Sequence, residues 1–79
     1  MKLIKDIKEY VDDQRMKILI IEDELNIINY DTISHLSSNL VVLLSKKIVV
    51  SVSGNDMVVK KLLNREILIK GIIKTIEMR

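Results

Sequence analysis

His35 is the only histidine of the chain, and Ser34, Ser37 and Ser38 lie beside it. Acyl transfer by serine needs a hydroxyl, an imidazole and a carboxylate converging in space next to an oxyanion hole, and no stretch here reads as a nucleophile elbow. His35 is therefore expected to be an ordinary strand residue, on the surface or half-buried. Glu22, Asp23 and Glu24 supply three successive carboxylates, the oxygen donors that Mg²⁺ and Ca²⁺ favour. Consecutive side chains of an extended segment point to opposite faces, and the spaced oxygens and the glycine of a calcium loop are missing, so a solvated turn is expected. Gly54 and Gly71 fit neither the dinucleotide fingerprint nor the P-loop spacing. The chain has no cysteine, which removes disulfides, thiolate nucleophiles and thiolate-bound zinc. No catalytic residue, cofactor or metal is expected, and the function is read as binding.

Charge narrows the kind of binding. Residues 1–43 carry five basic and eight acidic groups, a net of −3, whereas residues 44–79 carry eight basic and three acidic, a net of +5. Sequence-tolerant nucleic-acid binding couples a basic groove to aromatic stacking platforms. Lys46, Lys47, Lys60, Lys61, Arg65, Lys70 and Lys74 have no aromatic among them. Nucleic acid is therefore disfavoured as a partner. An Sm-like small β-barrel binding RNA is the alternative reading, since it too places a short helix before short strands. Lysines of this kind also keep strand edges from pairing.

The elements that would carry such a surface follow from the aliphatic content: 14 Ile, 10 Leu and 8 Val, with Tyr10 and Tyr30 the only aromatics. β-branched residues suit a pleated surface better than a helix. Between Lys2 and Gln14, Leu3, Ile4, Ile7, Tyr10 and Val11 recur at helical spacing, predicting one amphipathic helix over residues 1–14. Its polar face mixes both signs of charge, which favours packing against the β body or a partner groove over anionic lipid. Leu3, Ile7, Tyr10 and Val11 are the expected partner-binding residues.

From residue 16 to 79 short apolar runs alternate with polar punctuation, the pattern of an all-β meander, roll or sandwich of about six to seven strands. The strands are expected near 17–21, 24–29, 32–36, 39–44, 47–53, 56–62 and 66–77, the last bent at Gly71. Reversals are expected at Glu22-Asp23-Glu24, at Ser45-Lys46-Lys47 and, most clearly, at Ser53-Gly54-Asn55-Asp56. No exact internal repeat is visible. Runs such as Ile18-Leu19-Ile20-Ile21 are apolar on both faces and need cover from a sheet, the helix or another subunit. Seventy-nine residues make one domain with a thin core. No apolar run approaches the ~20 residues of a membrane helix, and no signal peptide is evident, so the cytoplasm is the expected location.

Three segments resemble the YabP/YqfC family of sporulation proteins of endospore-forming bacteria. ELNIINY (Glu24 to Tyr30) is similar to the family's strand ending in asparagine and an aromatic or histidine. LVVLLSKKIVVSVSGNDMVVKKL (Leu40 to Leu62) resembles its strand, turn, strand progression. EILIKGIIKTIE (Glu66 to Glu77) resembles its closing E-x-x-I-x-G-x-I-x-x-I. The resemblance spans roughly residues 13–78 and rests on structural motifs, with Asn29, Tyr30, Gly54, Asn55 and Gly71 as the motif positions. Where the family tends to carry glycine, this chain has Asp31-Thr32 and Ser45-Lys46-Lys47. The resemblance implies a non-enzymatic structural or adaptor protein of the mother cell, peripheral to a membrane through a sporulation membrane protein, or assembling into a homo-oligomer.

Overall fold

Residues 15–79 of the β-branched, proline-free sequence fold almost wholly into strands. In the computed structural model, which describes residues 15–79, they are β1 (Lys17–Ile21), β2 (Glu24–Ile28), β3 (Thr32–Leu36), β4 (Leu40–Ser45), β5 (Ile48–Leu63) and β6 (Glu66–Met78). No helix occurs among the described residues, and the helix predicted over 1–14 lies outside them. All pairings are antiparallel, in the order β1-β2-β6-β5-β4-β3.

The two long strands each belong to two neighbourhoods. The first half of β6 pairs with β2 while its second half has only β5, and β5 pairs with β4 through its first half only. The sheet thus divides into two four-stranded halves, β1-β2-β6-β5 and β3-β4-β5-β6, joined through the long hairpin. They are built alike. In the first half Leu25 and Ile27 stand opposite Ile69 and Ile67; in the second Val41 and Leu43 stand opposite Val52 and Val50. These eight side chains are at most 1% exposed, and with Tyr30 and Met57 they form one core. Since alternate residues share a face, each half turns one apolar face inward, and the two faces meet. Each buried aliphatic side chain stabilises the fold by roughly 1.5–3 kcal/mol.

The halves can meet because the long hairpin bends at its glycines. Gly71 N–H donates to Asp23 O at 3.0 Å, and Gly54 N–H donates to Asn39 O at 3.1 Å, so each bend is tied to the turn of a neighbouring hairpin. A Cβ at Gly54 would run into the carbonyl oxygen of Ile72, and one at Gly71 would sit 2.8 Å from both Asp56 O and Met57 Cα. The obstructing atoms are backbone. Both glycines are therefore required by close strand approach.

This corrects one expectation. Ser53-Gly54-Asn55-Asp56 is no chain reversal: β5 continues through it to Leu63, giving six strands where up to seven were expected. The register slips between Asn55 and Val58, and Asp56 takes a positive φ of 53°. A bulge of this kind re-aims a strand without ending it, and it returns Met57 to the core at 5% exposure. The other reversals fall at Glu22-Asp23 and Lys46-Lys47, and Glu22 accepts the positive φ that a tight hairpin needs, 54°.

Gly54→Ala is expected to destabilise the fold by about 3 kcal/mol or more, because the backbone of β6 must move. Urea denaturation should show a lower midpoint at similar slope. A midpoint equal to that of the parent would refute this account of the bend.

Candidate functional site

At the end of the molecule away from the glycine bends, the loop between β2 and β3 holds three hairpins together. Asn29, at φ 68°, donates its N–H to Arg65 O at 2.7 Å and its Nδ2 to Arg15 O at 2.8 Å. Arg65 returns Nε to Tyr30 O at 3.1 Å and approaches Asp31 Oδ1 at 3.4 Å. Asp31 Oδ2 accepts from Lys46 N at 2.9 Å, and Asp31 N–H donates to Leu44 O at 2.8 Å. Arg15, Met16, Asp31, Lys46, Arg65 and Met78 border a groove here. Asp31 and Arg65 pair across it, and the remaining bonds run through backbone atoms of Arg15, Tyr30, Leu44 and Lys46, so the cluster works as a clasp. Tyr30 is anchored beneath it, and its phenol is pushed above the ordinary value of 10.0, first by burial and then by the Glu66 carboxylate.

The residues with chemical potential are dispersed. His35 is exposed on β3, in register with Val42, then Ser51, then Glu77 across the outer face. At about 4.8 Å per strand, Ser51 is two strands and Glu77 three strands away. Ser34 lies at the bulge of β3, and Ser37 is engaged in its turn, with Oγ 2.8 Å from Asn39 Oδ1 and bonded to the backbone of Leu40. Glu22 and Asp23 occupy the β1–β2 turn, where Asp23 lies 3.9 Å from Lys70 Nζ, and Glu24 faces Lys70 in the ladder. Among the described residues no group of three His, Cys, Asp or Glu side chains could hold a metal ion. The cations are also divided: Lys46, Lys47 and Arg65 sit by the clasp, Lys60 and Lys61 on β5, Lys70 and Lys74 on β6. Leu3, Ile7, Tyr10 and Val11 lie outside the described residues. Gly54 and Asn55 share the bend of β5, Gly71 forms that of β6, and Asn29 and Tyr30 belong to the clasp.

What the fold leaves uncovered is apolar surface. Register places Leu19, Asn26 and Leu68 in one row of the outer face of the first half, and Ile21, Glu24, Lys70 and Val58 in the next. Leu19, Ile21, Val58 and Leu63 are at least half exposed there. Amid them Asn26 Oδ1 is buried without a hydrogen-bond partner, while its Nδ2 reaches Glu66 Oε2 at 3.4 Å. Among the described strands, the outer strands β1 and β3 approach only β2 and β4 respectively within 8 Å. The exposed row on β1 was legible in the sequence as part of an apolar run needing cover from a sheet, the helix or another subunit. The clasp was not, since its bonds join residues up to 36 positions apart. No helix among the described residues is long and apolar enough to cross a membrane. No family model, curated protein or solved structure matches the chain.

Two predictions follow from this geometry. The fold prefers the neutral phenol of Tyr30, so its contribution is intact below about pH 10 and is lost as pH rises from there through the raised folded value. Urea midpoints taken across that window should fall less steeply in Tyr30→Phe than in the parent, Tyr10 being common to both; parallel curves would refute the assignment. Asn26→Val removes an unsatisfied buried carbonyl and suits a strand, so it is expected to raise stability by about 1 kcal/mol. A lowered melting temperature would show that the amide is needed where it stands.

Proposed function

We propose that the chain is a non-enzymatic structural or adaptor protein of endospore formation, acting in the mother cell by binding a membrane-associated sporulation partner or by assembling with itself. The observation that carries the binding half of this reading is the outer face of β1, where Leu19 and Ile21 stand in water, with Val58 and Leu63 of β5 exposed on the same face beyond β2 and β6. Large exposed aliphatic side chains gathered on one face mark an interaction surface. The sporulation half rests on the resemblance of ELNIINY, LVVLLSKKIVVSVSGNDMVVKKL and EILIKGIIKTIE to the YabP/YqfC family. Asn29, Gly54 and Gly71, the motif positions, hold the clasp and the two bends, which fits motifs that maintain a scaffold.

RNA binding by an Sm-like barrel is the weaker reading. Tyr30, the single aromatic among the described residues, is buried at 4% exposure and offers no stacking platform. Asp23 and Asp31 also lie beside Lys70 and Arg65.

Fractionation of sporulating cells tests the proposal. The parent chain is expected in the membrane fraction during sporulation, and the double variant Leu3→Glu, Ile7→Glu is expected to move to the soluble fraction while keeping the urea midpoint of the β body. A parent chain that stays soluble throughout, in cells whose heat-resistant spore yield is unchanged by its deletion, would overturn the proposal.

A further inference from the structure

We infer that β1 is a homodimerisation edge, pairing antiparallel with β1 of a second copy about a two-fold axis at Leu19. The inference rests on the reading of the chain as a binding protein and names what one of its open edges takes.

Strand edges in soluble proteins are normally blunted by charges, bulges or proline. Three of the four edges here are. β3 has a register break between Ile33 and His35 and carries Ser34 and His35. The second half of β5 carries Lys60 and Lys61, and the second half of β6 carries Lys74 and Glu77. β1 is less protected: its one charged residue, Lys17, stands at its start. It pairs with β2 through five consecutive residues without a break, and Ile18-Leu19-Ile20-Ile21 contains neither charge nor polar side chain. Leu19, Ile20 and Ile21 are 51%, 61% and 64% exposed.

The hairpin fixes which backbone groups are available. Ile21 and Glu24 close a two-residue turn, and the residues flanking such a turn exchange both main-chain hydrogen bonds. Leu19 and Ile21 therefore point their N–H and C=O groups towards β2, and Ile18 and Ile20 point theirs away. Antiparallel pairing about Leu19 sets Ile18 of one copy opposite Ile20 of the other, so these outward groups satisfy one another. Leu19 then meets Leu19 at a non-hydrogen-bonded position, where cross-strand side chains come closest.

The flanks of the strand complement themselves in the same register. Arg15 and Lys17 precede the apolar run, and Glu22 and Asp23 follow it. Two-fold pairing brings Arg15 opposite Asp23 of the second copy and sets Lys17 within a residue of its Glu22. Arg15 and Lys17 also hold contacts in their own chain, and the pairing adds the second copy's carboxylates to these. A parallel pairing would set like charge against like. The closed two-fold arrangement also uses up the β1 edge in both copies, ending assembly at two rather than seeding a fibre.

The natural chain has no cysteine, so Leu19→Cys introduces a single thiol on the proposed axis, and Leu36→Cys places a control on the opposite edge, where Leu36 is 45% exposed. Under mild oxidation, L19C is expected to give a covalent dimer at least tenfold faster than L36C, since facing non-hydrogen-bonded positions lie near disulfide distance. Sedimentation equilibrium of the parent should give a dimer, and Ile20→Lys, with far-UV circular dichroism unchanged, should weaken it by at least 100-fold. A monomeric parent, equal cross-linking rates for L19C and L36C, or an I20K dimer of undiminished affinity would each overturn the inference. Each leaves the fractionation result untouched, so failure of the β1 dimer and failure of the sporulation reading are told apart.

Discussion

The close passage of β5 and β6 at their bends is the constraint from which the rest of the architecture follows. A straight hairpin of this length would present one flat, twisted ribbon with an apolar face in water. At Gly54 and Gly71 the backbones come nearer than any side chain allows, and the hairpin folds over so that its two ends cover one another. Val50 and Val52 then face the same core as Ile67 and Ile69. β2 and β4 add Leu25, Ile27, Val41 and Leu43 in the matching rows. Each glycine is also tied to the turn of a flanking hairpin, so the bends and the outer strands are fixed together.

The opposite end depends on polar bonds in place of close packing. Asn29 accepts a positive φ that its short side chain tolerates, and its amide reaches the chain entering β1. Arg65 lies near Asn29 O, Tyr30 O and Asp31 Oδ1 with one guanidinium. Exposed ion pairs add little to stability, so the worth of this cluster lies in the backbone groups it satisfies and in the burial of Tyr30. Packing therefore closes one end of the core and hydrogen bonding the other.

A core this small cannot bury every aliphatic side chain. Ten hydrophobic side chains are buried among the described residues, yet eleven large ones remain well exposed. A domain of this size buries only about 60% of the surface of its unfolded chain, and surplus Leu, Ile and Val then lie where another protein can cover them. Leu19, Ile20 and Ile21 on β1 and Val58, Leu62 and Leu63 on β5 belong to that surplus, and they give the binding reading its physical content. The uncharged run Ile18 to Ile21 that follows Lys17 is the edge proposed to take a second copy of the chain.

Much of the architecture was legible in the sequence because strand identity is local. β1 and β3 begin and end where the sequence pattern placed them, at 17–21 and 32–36, and the turns at Glu22-Asp23 and Lys46-Lys47 follow from polar pairs between strand segments. Ser53-Gly54-Asn55-Asp56 misled for an equally physical reason: glycine and asparagine permit a reversal but do not compel one. Only the tertiary structure decided that Gly54 serves close approach and that Asp56 absorbs a bulge, because the obstructing atoms belong to Ile72 and Ile73, distant in sequence. The same holds for the clasp, whose partners are set by sheet order, and for which aliphatic residues are left outside. By itself the sequence determined an aliphatic, all-β chain. Its three-dimensional pairing decided which of those residues close the core and which remain exposed, since burial depends on who stands opposite.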